Sequence, residues 1–250
     1  MSFVLFAIIG ALGAFLSGLI GIGGAIIMYP MLLFIPPIFN IEMTPTLAAG
    51  LTASQVFFST LSGSISQRKN EYINTSIIIP MSIGILLGSI SGAYLASIFD
   101  ESIINIVYTL LAILAVILMF IKVKSNDTKT TYNKFALFFV AAMIGILSGI
   151  VGAGGAFLIV PILLTLFKVP FRVVIANSII VAFVSSIGTF FTKFLTGSVE
   201  LEHALPLIIA SLIFAPLGTK VSKRTNQTVL RYILTALIIM AAVKMIIDMI

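Results

Sequence analysis

The sequence of 250 residues contains no cysteine and no tryptophan, and only 9% of its residues are charged. The absence of cysteine excludes a disulfide framework and a thiolate metal site. The shortage of charge is atypical of a water-soluble domain, in which about a quarter of the residues are charged. The chain instead consists of 60% hydrophobic residues, which indicates an integral membrane protein.

Eight long apolar segments account for most of the chain. A porin-like β-barrel would show alternating segments of roughly ten residues, whereas most of these segments approach or exceed the ~20 residues that a spanning helix needs. The sequence therefore predicts an all-α integral membrane protein with eight helical units. They cover residues 3–35, 43–66, 73–98, 103–121, 135–167, 173–196, 204–219 and 227–247.

One motif occurs twice, as SGLIGIGGAIIMYP at 17–30 and as SGIVGAGGAFLIVP at 148–161, a shift of 131 positions. After the motif the shift becomes 126, which aligns Phe57 with Phe183. Such regular identity indicates internal duplication with a shared backbone requirement. We predict a first repeat at 1–124, a polar linker at 125–131 and a second repeat at 132–250.

The distribution of Lys and Arg favours a chain that folds back in each half. If all eight units cross the membrane, the two faces carry eight and six basic residues, which is almost no bias. If units 3–35 and 135–167 instead turn at their glycines and return, the faces carry twelve and two. The positive-inside rule favours this second topology, with both termini outside and the basic face against anionic headgroups at the cytoplasmic side of the cell membrane. Topology thus explains the net charge of +6 without nucleic acid.

Segment length supports the same topology. A glycine unit of about 33 residues would be about 50 Å long as one straight helix, whereas the bilayer core is ~30 Å thick. We therefore predict that the first unit of each half is a Gly-broken re-entrant helical hairpin with two half-helices of about 15 residues. Three crossings per half remain, and this odd number inverts the second half relative to the first. The predicted fold is two inverted four-helix repeats.

The two glycine turns are the predicted binding site. Glycine adopts positive φ at little cost, and non-helical backbone at membrane depth is tolerated where it lines a cavity. The half-helix that follows each turn would present unpaired N–H groups and a positive dipole end to an anion. Close packing of small residues is the alternative, and it fits the stripe of Gly84, Gly88 and Gly92 better. The predicted ligands at the turns are Gly21, Gly23, Gly24, Ala25, Gly152, Gly154, Gly155 and Ala156.

Uncharged polar residues in the apolar segments could complete this site. Thr52 and Gln55 in the second unit, with Asn177 and Ser178 in the sixth, are predicted to donate hydrogen bonds to the substrate. For a Ser or Thr, a hydrogen bond to its own helix is the alternative. The same two interpretations apply to Ser54, Ser59, Ser185, Ser186 and Thr189.

The charged residues near segment ends have simpler interpretations. Arg172 and Lys193 bracket the sixth unit and are expected to extend to the interface, although either could attract an anion. His203 is expected in an outer loop with Glu200 and Glu202, where the three could sense pH. A plain interfacial loop is the alternative.

The duplicated glycine turn followed by a proline resembles the sulfite exporter TauE/SafE family. The resemblance covers essentially the whole chain and implies transport of sulfite, organosulfonates or other sulfur-containing anions across the cytoplasmic membrane. It is carried by Gly21, Gly23, Gly24 and Pro30, and by Gly152, Gly154, Gly155 and Pro161.

The sequence thus predicts a secondary transporter, an exporter of a small sulfur-containing anion bound at the midplane between the half-helix N-termini. An anion channel on the same scaffold and a non-transporting scaffold subunit remain open alternatives. We expect no enzyme and no cofactor, because the chain has no HExxH motif and its Gly-x-Gly-Gly does not follow a strand. The expected partners are the anionic substrate, the lipid bilayer and, in a homo-oligomer, further copies of the chain.

Overall fold

The computed structural model describes residues 2–21, 24–67, 71–121 and 132–247. Within these ranges the chain forms ten α-helices and no β-strand, so the all-α prediction is confirmed. The helices are α1 (Ser2–Ile20), α2 (Ala25–Ile38), α3 (Pro45–Gln67), α4 (Thr75–Leu95), α5 (Glu101–Phe120), α6 (Lys134–Val151), α7 (Ala156–Thr165), α8 (Phe171–Leu195), α9 (Leu201–Arg224) and α10 (Gln227–Ile247).

Two of the eight predicted units are broken at their glycines, which accounts for ten helices. The arms are unequal rather than about 15 residues each: α1 and α2 have 19 and 14 residues, and α6 and α7 have 18 and 10. The reason is that the left-handed glycines begin only at positions 21 and 152, past the middle of each unit. The first arm of each pair is therefore nearly as long as the ~30 Å bilayer core.

Six helices are long and apolar enough to cross a membrane, namely α1, α4, α5, α6, α8 and α9. Large apolar side chains also occupy the outer surface, where Ile83, Leu110 and Phe139 are each more than half exposed. A water-soluble protein would bury such residues, whereas a bilayer solvates them. Length, composition and exposure together indicate a multi-pass membrane protein.

Helices α1 and α3 run in the same direction. The Oγ atoms of Ser17 on α1 and Ser59 on α3 lie 3.1 Å apart, and a Cβ on Gly13 would lie 3.4 Å from the Nε2 of Gln55. The residue numbers of these contacts rise together on the two helices, so α1 and α3 run parallel. One straight helix through the glycines would have made them antiparallel. Gly24, which precedes α2, lies against the Gly13 carbonyl group of α1.

The fourth helix of each half packs on the first and third helices of the other half: α4 contacts α6 and α8, and α9 contacts α1 and α3. Glycine makes the close approach between α4 and α6, because a Cβ on Gly84 or Gly88 would lie 2.2 Å from the carbonyl oxygen of Phe138 or Ala142. The interpretation of Gly84, Gly88 and Gly92 as a packing stripe is confirmed.

Helices α3 and α8 cross at equivalent positions of the two repeats. The rings of Phe57 and Phe183 stack with centroids 5.8 Å apart, and the Oγ1 of Thr60 lies 3.2 Å from the Oγ of Ser186. Each pair is separated by 126 positions, which is the repeat shift. The contacts therefore join residues that the predicted repeat makes equivalent.

Further contacts give the relative direction of α3 and α8. Phe57 also stacks on Phe190, with centroids 5.0 Å apart, whereas Gly63, farther along α3, faces Ile179, which is earlier on α8. As the residue number on α3 rises, the number of the residue that it contacts on α8 falls. The two equivalent helices therefore run antiparallel.

Candidate functional site

The glycine turns adopt the backbone conformation that the sequence predicts. Left-handed backbone costs a residue with a Cβ roughly 1–2 kcal/mol, so the motif needs glycine for conformation and not only for size. Gly23 lies outside the described residues. The φ values are 75° at Gly21, 72° at Gly24, 82° at Gly152, 59° at Gly154 and 69° at Gly155.

Helices α2 and α7 begin inside the protein without a side-chain cap, because their N-cap residues are Gly24 and Gly155. In α2 the first N–H groups with a described backbone acceptor are those of Ile27 and Met28, so those of Ala25 and Ile26 have no backbone acceptor among the described residues. The N-termini of α4 and α6, by contrast, are each capped by an asparagine side chain. The backbone of Ala156 starts α7, and its side chain lies outside the described part.

Each turn packs on the third helix of the opposite half. The Ser178 hydroxyl of α8 donates a hydrogen bond of 2.9 Å to the Gly21 carbonyl oxygen. In the second turn, a Cβ on Gly152 would lie 2.0 Å from the carbonyl oxygen of Ala49 on α3. Ser178 therefore positions the first turn, and its proton is used for that contact.

The second turn also reaches the crossing of α3 and α8. A Cβ on Gly154 would lie 3.2 Å from Val56 and 3.5 Å from the Cβ of Ser186. The neighbouring residue Gln55 lies on the other side, next to Gly13 of α1 and therefore close to the start of α2. The two turns thus flank the middle of α3 at the same level.

Gln55 is the amide at this site that has no partner. Its side chain is fully buried, and neither its Nε2 nor its Oε1 forms a hydrogen bond within the described structure. An amide left without hydrogen bonds costs roughly 1–3 kcal/mol in proteins. A buried amide without a described hydrogen-bond partner, beside an uncapped helix N-terminus, makes this place the candidate ligand site.

Asn177 has a different environment from the one predicted. Its Nδ2 donates to the carbonyl oxygens of Tyr72 at 2.9 Å and Val173 at 2.5 Å, and its Oδ1 accepts from the Asn74 backbone N–H at 2.7 Å. Both amide protons are therefore engaged. The geometry supports a structural role for Asn177, which is to hold the connection before α4.

The buried hydroxyl groups mostly bond to their own helices. Thr52 donates to the Ala48 carbonyl oxygen at 2.7 Å, as the alternative interpretation predicts. The hydroxyls of Ser54, Ser186 and Thr189 do the same. Among the described hydroxyls, the buried Oγ atoms of Ser82 and Ser185 have no partner. Ser17, which contacts Ser59, is a residue that the sequence argument missed although it is identical to Ser148 in the repeat.

Two of the three charged side chains that the sequence singled out have unexpected positions. Lys193 is only 1% exposed, so it does not extend to the interface. His203 lies in the first turn of α9 rather than in a loop, and its Nδ1 is 2.8 Å from the Glu200 carboxylate. Arg172 is exposed and lines a cavity of about 230 Å³ with Gln67 and Lys223.

The acidic residues do not enter the interior. All six that fall within the described ranges are exposed: Glu42, Glu71, Asp100, Glu101, Glu200 and Glu202. The described residues also contain no group of three His, Asp or Glu side chains that could hold a metal ion. The polar groups available in the core are therefore donors and neutral amides.

Comparison with known proteins gives a consistent result. Residues 6–245 match the family model described as sulfite exporter TauE/SafE. The chain is 24% identical to the "Probable membrane transporter protein YunE" of Bacillus subtilis, over 98% of both chains. It is 27% identical to a "Probable membrane transporter protein" of Methanocaldococcus jannaschii, over 94% of this chain and 91% of the relative. No solved structure matches the chain.

Proposed function

The chain belongs to the sulfite exporter TauE/SafE family, and on that premise we propose that it exports a small sulfur-containing anion, such as sulfite or an organosulfonate, as a secondary transporter. The family and the names of the relatives indicate a membrane transporter. The choice of substrate rests chiefly on Gln55, a fully buried amide without a hydrogen-bond partner beside the uncapped start of α2.

The polar groups of the interior favour an anion over a cation. A cation would need carboxylates or free carbonyl oxygens, and the described acidic residues are all exposed. Each helix N-terminus stabilises a negative charge by up to ~2 kcal/mol when partly buried. A hydrogen bond to a charged group adds roughly 1.5–3 kcal/mol. Two termini and one amide could therefore bind an anion with micromolar to millimolar affinity, about −8 to −4 kcal/mol, which is weak enough for release.

We also propose that the two halves form inverted repeats and that α1–α2 and α6–α7 are re-entrant hairpins. Three observations support this: the antiparallel crossing of the equivalent helices α3 and α8, the parallel course of α1 and α3, and the exchanged packing of α4 and α9. In secondary transporters this arrangement allows one half to move against the other around a fixed site.

The proposed topology puts both termini and the 96–100 connection outside the cell, and the 125–131 linker inside. Because the chain has no cysteine, single cysteines can be introduced as reporters. Ser97→Cys is expected to react with an impermeant thiol reagent in intact cells, and Ser125→Cys only after the membrane is opened. Reaction of Ser125→Cys in intact cells would refute the topology, with the cysteine-free parent as the control for background labelling.

Ligand-dependent unfolding and flux together test the proposed function. In detergent, sulfite, thiosulfate, sulfate, taurine and chloride are compared for their effect on the melting temperature, since a ligand of the native state raises it by mass action. We expect at least one sulfur oxyanion or sulfonate to stabilise more than chloride and to show saturable counterflow in liposomes. Flux without saturation would indicate a channel. Stabilisation only by cations or neutral solutes would refute the proposal.

A further inference from the structure

Lys193 is a lysine that the described part of the protein buries. It lies in the last turn of α8 and is 1% exposed. Its Nζ forms no hydrogen bond or ion pair with any described residue, and the described acidic residues lie at the surface. An unpaired charge inside a protein is strongly destabilising unless something compensates it.

The burial of Lys193 follows from its neighbours in space. Two contacts bracket it: Gly50 of α3 lies against the Ser198 carbonyl group, and Phe57 of α3 stacks on Phe190. Lys193 is therefore level with α3 residues between 50 and 57. Because α3 begins at Pro45, about 8 to 18 Å of helix extends outward beyond this level. Lys193 is thus buried at the level of α3, whereas the next two residues, Phe194 and Leu195, are 43% and 82% exposed.

By the same two contacts, Lys193 lies at about the level of Gln55 on the antiparallel helix α3. The amide of Gln55 is buried and has no hydrogen-bond partner within the described structure. The buried lysine and the idle amide therefore lie at the same level of the α3–α8 pair.

A structural role at the helix end does not account for the ammonium. The positive charge of a lysine can cap the C-terminus of a helix. Here the last carbonyl groups are already bonded, because the N–H groups of Thr196 and Ser198 donate to the carbonyl oxygens of Thr192 and Lys193.

We propose that the Lys193 ammonium is the counter-charge for the transported anion, and that it binds the anion from α8 while Gln55 binds it from α3. This inference rests on the proposed anion transport. It makes the site asymmetric, because the equivalent of Lys193 in the first half, 126 positions earlier, is the neutral Gln67.

The test uses the full chain in detergent and compares Lys193→Gln with Lys220→Gln. Gln67 shows that a buried glutamine suits the equivalent position, and Lys220 is an exposed lysine of α9. We expect Lys193→Gln to weaken the affinity for the sulfur anion that stabilises the unaltered protein by about tenfold or more, as for loss of a charge-assisted hydrogen bond. Its melting temperature without ligand should be equal or higher, because a buried charge is removed. Lys220→Gln should change neither value.

Equal anion affinity of Lys193→Gln and the unaltered protein would overturn the assignment of Lys193 and leave anion transport standing. If no anion stabilises the unaltered protein, the proposed function fails and this inference with it. Lys193→Met, unbranched and of similar length, repeats the comparison if the glutamine variant does not fold. Lys193→Arg keeps the charge and should retain more anion binding than either variant. Its failure to do so would count against a role for the charge.

Discussion

Replacing Gly24 with alanine is expected to abolish transport. Gly24 combines a φ of 72° with a contact in which a Cβ would lie 2.4 Å from the Gly13 carbonyl oxygen. Left-handed backbone costs alanine roughly 1–2 kcal/mol, and overpacking against backbone adds about 1–3 kcal/mol. Relief of the backbone strain and of the collision would move the start of α2, which carries the N–H groups proposed to bind the anion. Counterflow in liposomes, at matched protein density, measures the loss.

Gly197→Ala is the matched control for Gly24→Ala. Gly197 has a φ of 75°, and a Cβ there would meet nothing within 4 Å. The control therefore has the same backbone strain without the collision and away from the turns, and it should keep measurable transport. Gly154→Ala is intermediate, because its nearest atom, a side-chain carbon of Val56, is 3.2 Å away. If Gly24→Ala and Gly197→Ala transport equally well, the glycine turn has no special role.

The sequence was sufficient for the features that depend on local composition. Helical class follows from the long apolar segments. The break at the glycines follows from their requirement for positive φ, which a residue with a Cβ meets only at a cost. The lengths of the two arms did not follow, because a motif shows where a break can occur but not how far helix continues on either side. Residue 20 ends α1 only because Gly21 is already left-handed.

The partners of individual polar residues could not be predicted, since they come from the other half of the chain. Asn177 looks like a free amide in an apolar segment, but the connection before α4 supplies its partners. Lys193 stands at the end of an apolar segment, where extension to the interface is the ordinary expectation. Its burial depends on how far α3 extends beyond α8, and that register is set by tertiary packing.

Gln55→Met is expected to weaken anion binding by about ten- to a hundredfold and to leave the fold at least as stable. Methionine has a similar shape without polar atoms, so it removes the hydrogen bond to a charged ligand, worth roughly 1.5–3 kcal/mol, or about one to two factors of ten. No hydrogen bond within the described structure is lost, because both amide atoms of Gln55 lack a partner. The free energy of unfolding without ligand should therefore be unchanged or higher.

Asn177→Leu provides the contrast, because this amide of the other half is engaged by Tyr72, Asn74 and Val173. Loss of the Asn177 amide should lower the melting temperature of the protein without ligand. The anion affinity, measured below that temperature, should stay within a few-fold of that of the unaltered protein. Affinity and stability thus separate a ligand amide from a structural one.

Unchanged affinity in Gln55→Met would contradict the proposed site, and lower stability in that variant would show that Gln55 has a protein partner. A large loss of affinity in Asn177→Leu alone would move the site towards the inner end of α8, next to the cavity lined by Arg172.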